Sequence, residues 1–205
     1  MHLAQQNLNI KNKQMKQKLS RSSFFILFMI VIAGCKKEKT TIQNNPNIAY
    51  FEVNKTLVYN NPTNRIDSIN LDNTGAADIL FTIVATDQQQ SAIIYLQDDP
   101  ANGFVKDTTI SGVSFAKPLN KDVSVNISNN FVLGFDGTAM HHTSYPIDRG
   151  IAGQGDRYFG FKVKLADGLH FGWLLVNYDR INNELSIKQI AYNKVLNASI
   201  KTGEK

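Results

Sequence analysis

The stretch "RYFGFKVKLADGLHFGWLLVNYD", Arg157 to Asp179, decides the fold. Two runs rich in aromatic and β-branched residues flank Ala166-Asp167-Gly168, the composition of a β-hairpin with a glycine in its turn. Two pairings fit the loop. A two-residue turn at Asp167-Gly168 sets Lys162 opposite Trp173, which puts Trp173 and Phe171 on the face that carries two lysines. A three-residue loop with Gly168 left-handed sets Phe161 opposite Trp173 and Val163 opposite Phe171. A slip of one residue moves every side chain to the other face, so the pairing that gathers the apolar groups is preferred. The second pairing collects Phe159, Phe161, Val163, Phe171, Trp173 and Leu175 on one side and leaves Lys162, Lys164 and His170 on the other. It predicts Trp173 as core and His170 facing water or a surface layer. Gly160 and Gly172 lie among the rings, where a missing side chain lets a ring cross the strand.

The same texture extends through the chain from Ile48 onward. Short runs of Ile, Val, Phe, Tyr and Thr are broken by Asn, Asp, Gly and Pro, and no window holds helical periodicity over three turns. Strands are predicted at 49–53, 56–59, 65–71, 79–85, 92–96, 113–115, 123–127, 131–135, 157–165, 170–178, 184–191 and 198–200. The expected fold is all-β, a single β-sandwich or jelly-roll-like domain over residues 48–201. Residues 137–155, with four glycines and Pro146, read as one long loop.

The N-terminus points to a compartment. Residues 1–23 are basic with no acid and run into "FFILFMIVIAGC". The apolar run Phe24 to Ala33 has ten residues, whereas a membrane-crossing helix needs roughly 20. This pattern reads as an export signal over residues 1–34. Ile32-Ala33-Gly34-Cys35 resembles the lipobox of bacterial lipoproteins. The resemblance implies that Cys35 is acylated with diacylglycerol, becomes the first residue, and tethers the domain through the polar segment 35–47. It also implies an outer-membrane destination, because lysine rather than aspartate follows the cysteine. Cys35 is the only cysteine, so the domain has no internal disulfide, thiol nucleophile or thiolate metal cluster.

The net charge of +5 belongs to the same segment. Lys11, Lys13, Lys16, Lys18 and Arg21 precede the cleavage position with no acid among them, and the remaining basic residues equal the 17 acidic ones. A neutral domain offers no electrostatic case for nucleic acid.

A second resemblance covers the C-terminal half. "YFGFKV", "HFGWLLV" and "LSIKQIAYN" look like a pattern of secreted β-domains from Bacteroidota, matched at Tyr158, Gly160, Phe161, His170, Phe171, Gly172, Trp173, Ala191 and Tyr192. Those domains also carry an Asp/Asn-rich loop near their start, and "NLDNTGAAD" occupies that place here with departures. The pattern implies a fold more than an activity.

That loop is the foremost chemical candidate. Asn70, Asp72, Thr74, the Ala76 carbonyl and Asp78 stand at alternate positions, as in short extracellular calcium loops, because a hard cation takes six to eight oxygens from a tight turn. With two carboxylates only, the alternative is a polar hairpin whose Asp72 or Asn73 caps backbone amides. His141 and His142, with Tyr145 and Tyr158, form the candidate ligand-binding loop. Adjacent histidines on an extended chain face opposite ways and do not share one metal without a bend. "GVSFA", Gly112 to Ala116, lacks the strand-turn-helix context of a serine nucleophile. The carboxylates Asp98, Asp99, Asp122, Asp156 and Asp179 offer glycosidase-like pairs without choosing one. The expectation is an envelope lipoprotein acting as a non-catalytic binding or structural module. It recognises glycan or protein through the loops 98–102 and 137–155, perched on membrane lipid. An envelope hydrolase using a carboxylate pair is the alternative.

Overall fold

The computed structural model describes residues 45–59, 65–86 and 88–205, with Arg65 described by its backbone alone. The proposed signal peptide, Cys35 and most of the tether lie outside the described residues. Fifteen strands follow one another: β1 (Ile48–Val58), β2 (Arg65–Ile69), β3 (Ile79–Ala85), β4 (Gln89–Leu96), β5 (Gly103–Ile110), β6 (Val113–Ala116), β7 (Pro118–Leu119), β8 (Ser124–Val125), β9 (Phe131–Leu133), β10 (Thr138–Ser144), β11 (Ile147–Gly150), β12 (Arg157–Leu165), β13 (Gly168–Asp179), β14 (Glu184–Asn193) and β15 (Ile200–Lys201). No helix occurs among the described residues.

The domain is all-β, and one sheet dominates it. Ten strands form the path β1-β14-β13-β12-β5-β6-β10-β4-β3-β2, and the two strands at its ends are neighbours in sequence. The Lys55 ammonium on β1 donates to Asp67 Oδ1 and to the Ser68 carbonyl on β2, both at 2.8 Å. A side chain thus spans the seam where ladder bonds are missing, and the sheet nearly closes on itself. Strand β1 is continuous where the sequence suggested two pieces. Asn54 takes a left-handed φ of 47° at the irregularity between Glu52 and Lys55, which reads in sequence as a break.

The interior is filled by alternate residues of the long strands, among them Phe81, Ile94, Phe104, Phe159, Phe161 and Leu174. A second, smaller core covers the outer face of β12–β14. There Phe171, Trp173 and Ala191 pack with Leu119, Val125 and Ile200. Strand β15 pairs with β8 across this patch. The buried Thr202 fastens the segment by donating to the Asn120 carbonyl (2.6 Å) and accepting from the Val123 amide (2.9 Å).

This second core overturns the expected hairpin register. Leu165 pairs with Gly168 across a two-residue turn at Ala166-Asp167, so Phe161 faces Gly172 and Trp173 faces Gly160. Phe159, Phe161 and Val163 point inward, while Phe171 and Trp173 point outward beneath the β8–β15 cover. Trp173 is core, fully buried, but on the face opposite Phe161. Gathering all rings on one side assumed that the other side was wet. The aromatic-over-glycine expectation holds at Gly172, where an added Cβ would strike the Phe161 ring and stand 2.6 Å from the Ala191 carbonyl oxygen. His170 is corrected too. It is 1 % exposed, hydrogen-bonded through Nδ1 to the Asn193 carbonyl (2.7 Å) and through Nε2 to Asp167 (2.8 Å).

The reading of residues 137–155 as one long loop is likewise overturned. Gly137, Pro146 and Gly150 punctuate β10 and β11, and β10 sits between β4 and β6 in the middle of the path.

Candidate functional site

The register places several turns at one end of the barrel. Val58 at the end of β1 pairs with Glu184, Ser144 at the end of β10 pairs with Gln89, and Asp179 closes β13 against Glu184. The β3–β4, β10–β11 and β13–β14 turns therefore converge. Between them lies a cleft of about 610 Å³ lined by Thr86, Gln88, Gln89, Gln90, Thr143, Arg180 and Ile181. A second depression of about 500 Å³ adjoins it through Arg180 and Ile181, with Ala152, Gly153, Gly155 and Tyr178 among its walls. At the tips of the turns Tyr145 is 100 % and Ile181 93 % exposed.

A hydrogen-bonded chain fixes the polar wall. Arg180 donates through Nε to Gln90 Oε1 (3.1 Å) and through Nη1 to Asp148 Oδ2 (2.9 Å). Thr143 donates to Asp148 Oδ1 (3.1 Å), and Thr143 Oγ1 in turn lies 3.0 Å from His141 Nε2. Partial burial pushes the Asp148 carboxyl up, but the Arg180 and Thr143 hydrogen bonds outweigh it and hold the group below the usual carboxylate range.

The two histidines face opposite ways, as expected of neighbours on a strand. His141 turns inward, its ring 5.2 Å from that of Tyr178. His142 faces the other side, its Nδ1 2.7 Å from Ser91 Oγ and its Nε2 2.8 Å from Ser144 Oγ. Burial lowers both pKa values. At His141 the Asp148 charge opposes that effect, while Arg180 and His142 add to it. Both rings are therefore less protonated in the folded domain near pH 6.5 than an unfolded histidine, which is half protonated there. The unfolded chain binds more protons, so this contribution to stability is complete well above pH 6.5 and is lost as pH falls toward the depressed folded values. Each ring contributes a slope of at most about 1.4 kcal/mol per pH unit. Site-resolved NMR titration is expected to place both midpoints below that of a free histidine, and a midpoint at or above it would contradict the burial argument.

Tyr158 does not join this group. Its ring meets Trp173 edge-on at 5.2 Å on the outer face and lines none of the depressions described here. The loop 98–102 is also elsewhere, at the opposite end, and is occupied with structure. Asp99 caps the Ala101 amide (2.8 Å), and the buried Asn102 accepts from the Lys164 amide (2.7 Å).

The Asn70–Asp78 loop shares that opposite end. Asp72 Oδ1 accepts from the Thr74 amide at 2.8 Å, the capping geometry of a polar turn. That hydrogen bond, before others, lowers its pKa. Asp78 is buried and accepts from the Leu71 amide at 2.6 Å; burial raises its pKa. Asn70 directs its amide nitrogen at the Thr74 and Ala76 carbonyls, at 3.2 and 3.4 Å. Among the described residues, no three His, Cys, Asp or Glu side chains are grouped so as to hold a metal.

Sequence reasoning passed over Gln88, Gln89, Gln90 and Arg180. Consecutive glutamines between two strand runs were a usable signal for an amide-lined turn. Arg180 was not, since its partner Gln90 is 90 residues away. Comparison with protein-family models, curated proteins and solved structures returns no match to this chain.

Proposed function

We propose that the protein is a lipoprotein of the bacterial envelope, anchored through Cys35 to the outer membrane, and that its β-domain is a non-catalytic module binding glycan at the Arg180 end. The observation that carries this reading is the cleft of about 610 Å³ lined by three glutamines, two threonines and Arg180, at the end of the domain where the exposed Tyr145 also lies. Amide and guanidinium groups are planar and present paired donors, which suits vicinal hydroxyls. An exposed aromatic ring suits the C–H face of a pyranose. Orienting polar groups in a preformed concavity are the usual make-up of a small-ligand site. The hydrolase alternative needs two carboxyls facing one cleft; among the described residues the lining of this cleft carries no carboxyl, and that of the adjoining depression carries Asp179 alone.

The test is an oligosaccharide array of β-glucan, xylan, mannan, chitin and peptidoglycan fragments, probed with the full chain in detergent. Binding to one class is expected, with Arg180→Ala weakening it by about tenfold or more, the loss of at least one charged hydrogen bond. No binding, or binding indifferent to Arg180→Ala, overturns the reading. Capture of polypeptide alone would assign the same end to a protein partner instead. Calcium at the Asn70–Asp78 loop would register in a parallel arm as chelator-sensitive melting, because that loop lies at the other end from the cleft.

A further inference from the structure

We propose that the second depression continues into a hydroxyl-binding subsite formed by His141 Nδ1 and the Tyr178 hydroxyl. The proposal rests on the glycan reading above and narrows the ligand to one that delivers a free hydroxyl into the wall of the barrel.

The argument begins with Thr143. Its hydroxyl hydrogen goes to Asp148 Oδ1, an ionised carboxylate that only accepts. Toward His141 the same oxygen must therefore accept, so His141 Nε2 carries the proton and donates across the 3.0 Å contact. Burial favours the neutral ring, in which Nδ1 is a bare lone pair. That nitrogen is buried and has no hydrogen-bond partner among the described residues, and the same is true of the Tyr178 hydroxyl. His141 is 2 % and Tyr178 1 % exposed. Their ring centroids lie 5.2 Å apart, and Tyr178 lines the second depression.

A buried polar atom without a partner costs about 1–3 kcal/mol, and two on neighbouring rings are seldom carried without a use. The pair presents one acceptor and one group able to donate. A hydroxyl satisfies both, donating to Nδ1 and accepting from the phenol. A carbonyl or carboxylate answers only the phenol and sets its lone pairs against Nδ1. An ammonium can donate to both but leaves the phenol hydrogen without an acceptor. Sugars and other polyols offer such a hydroxyl, and the Arg180-Asp148-Thr143 chain is the device that holds the tautomer. Arg180, Asp148 and Thr143 thus act on this subsite as positioning residues.

The experiment follows the His141 ring nitrogens by NMR in the full chain, labelled with nitrogen-15 at histidine and held in detergent. The free protein should show Nε2 protonated and Nδ1 bare. Titration with glycerol, the minimal hydroxyl probe, and with any array-positive glycan should shift Nδ1 as it accepts a hydrogen bond. Tyr178→Phe should weaken that response about tenfold with the tryptophan emission unchanged. Thr143→Val should mix the tautomers even without ligand. Glycan binding with Nδ1 unmoved overturns the subsite and leaves the glycan reading standing. An Nδ1 response to glycerol with a blank array does the reverse. A free ring already protonated at Nδ1 overturns the subsite directly.

Discussion

Trp173→Ala should destabilise the domain by about 3–5 kcal/mol, the range for deleting a large buried ring, and urea unfolding of the full chain would measure it. Trp173 is 0 % exposed and is gripped from two sides. The Tyr158 ring meets it edge-on at 83°, and the Tyr50 ring lies tilted with centroids 6.2 Å away. The Gly160 backbone faces it across the hairpin. An alanine would leave a hole that the rigid β12–β14 ladder collapses around poorly. Trp173→Phe should behave differently. The indole Nε1 is buried without a partner among the described residues, so phenylalanine removes an unsatisfied donor along with some packing, and the net cost should stay under about 1.5 kcal/mol. Should the alanine variant prove nearly as stable as the parent while losing ligand, Trp173 would be a binding residue and the second core would be misassigned.

The other large effect concerns Cys35. A chain of this kind labelled with palmitate in its native host should incorporate the label, and Cys35→Ser should bring incorporation to background. One acyl chain binds a bilayer only marginally, with an association constant of about 10⁴ M⁻¹, while two or more make a lasting anchor at about 0.8 kcal/mol per buried methylene. The outcome is close to all or none. Mass spectrometry of the native N-terminal peptide decides independently, since an unmodified sulfur there would remove the lipoprotein reading.

How far the chain could be read in advance depended on distance along it. The β12–β13 hairpin is legible because its two strands are neighbours with strong alternating composition. Its turn was misplaced by one residue because Gly168 adopts a φ of 142° as a strand residue rather than inside the loop. The tie-break then failed for a deeper reason. Both faces of β13 are dry, one toward the barrel interior and one under β8 and β15, and no local pattern reveals a cover supplied by residues 124–125 and 200–201. Strand β10 was hidden for a similar reason. Thr138, His141 and His142 look like loop residues, yet all three are buried: Thr138 donates to the Leu133 carbonyl, His141 Nε2 meets Thr143, and His142 meets Ser91 and Ser144. Of the ligand-binding candidates, His141, His142 and Tyr145 belong to one hairpin and stay together, while Tyr158 is drawn off by Trp173 on the outer face. The polar chain from Gln90 through Arg180 to Asp148 joins three turns, and only tertiary structure brings those turns together.

Strand β1 has a further consequence for the proposed anchor at Cys35. Its eleven residues begin at Ile48, beside the segment that leads back to Cys35, and finish at Val58, next to the turns around the cleft. At about 3.3 Å per residue, and allowing for the slant of strands in a closed sheet, it works as a mast of roughly 30 Å. Arg180 and Tyr145 sit at the masthead, at the other end of the domain from Ile48. On the proposed Cys35 anchor, the cleft lies at the end of the domain remote from the point of attachment, which suits a ligand arriving from the aqueous side.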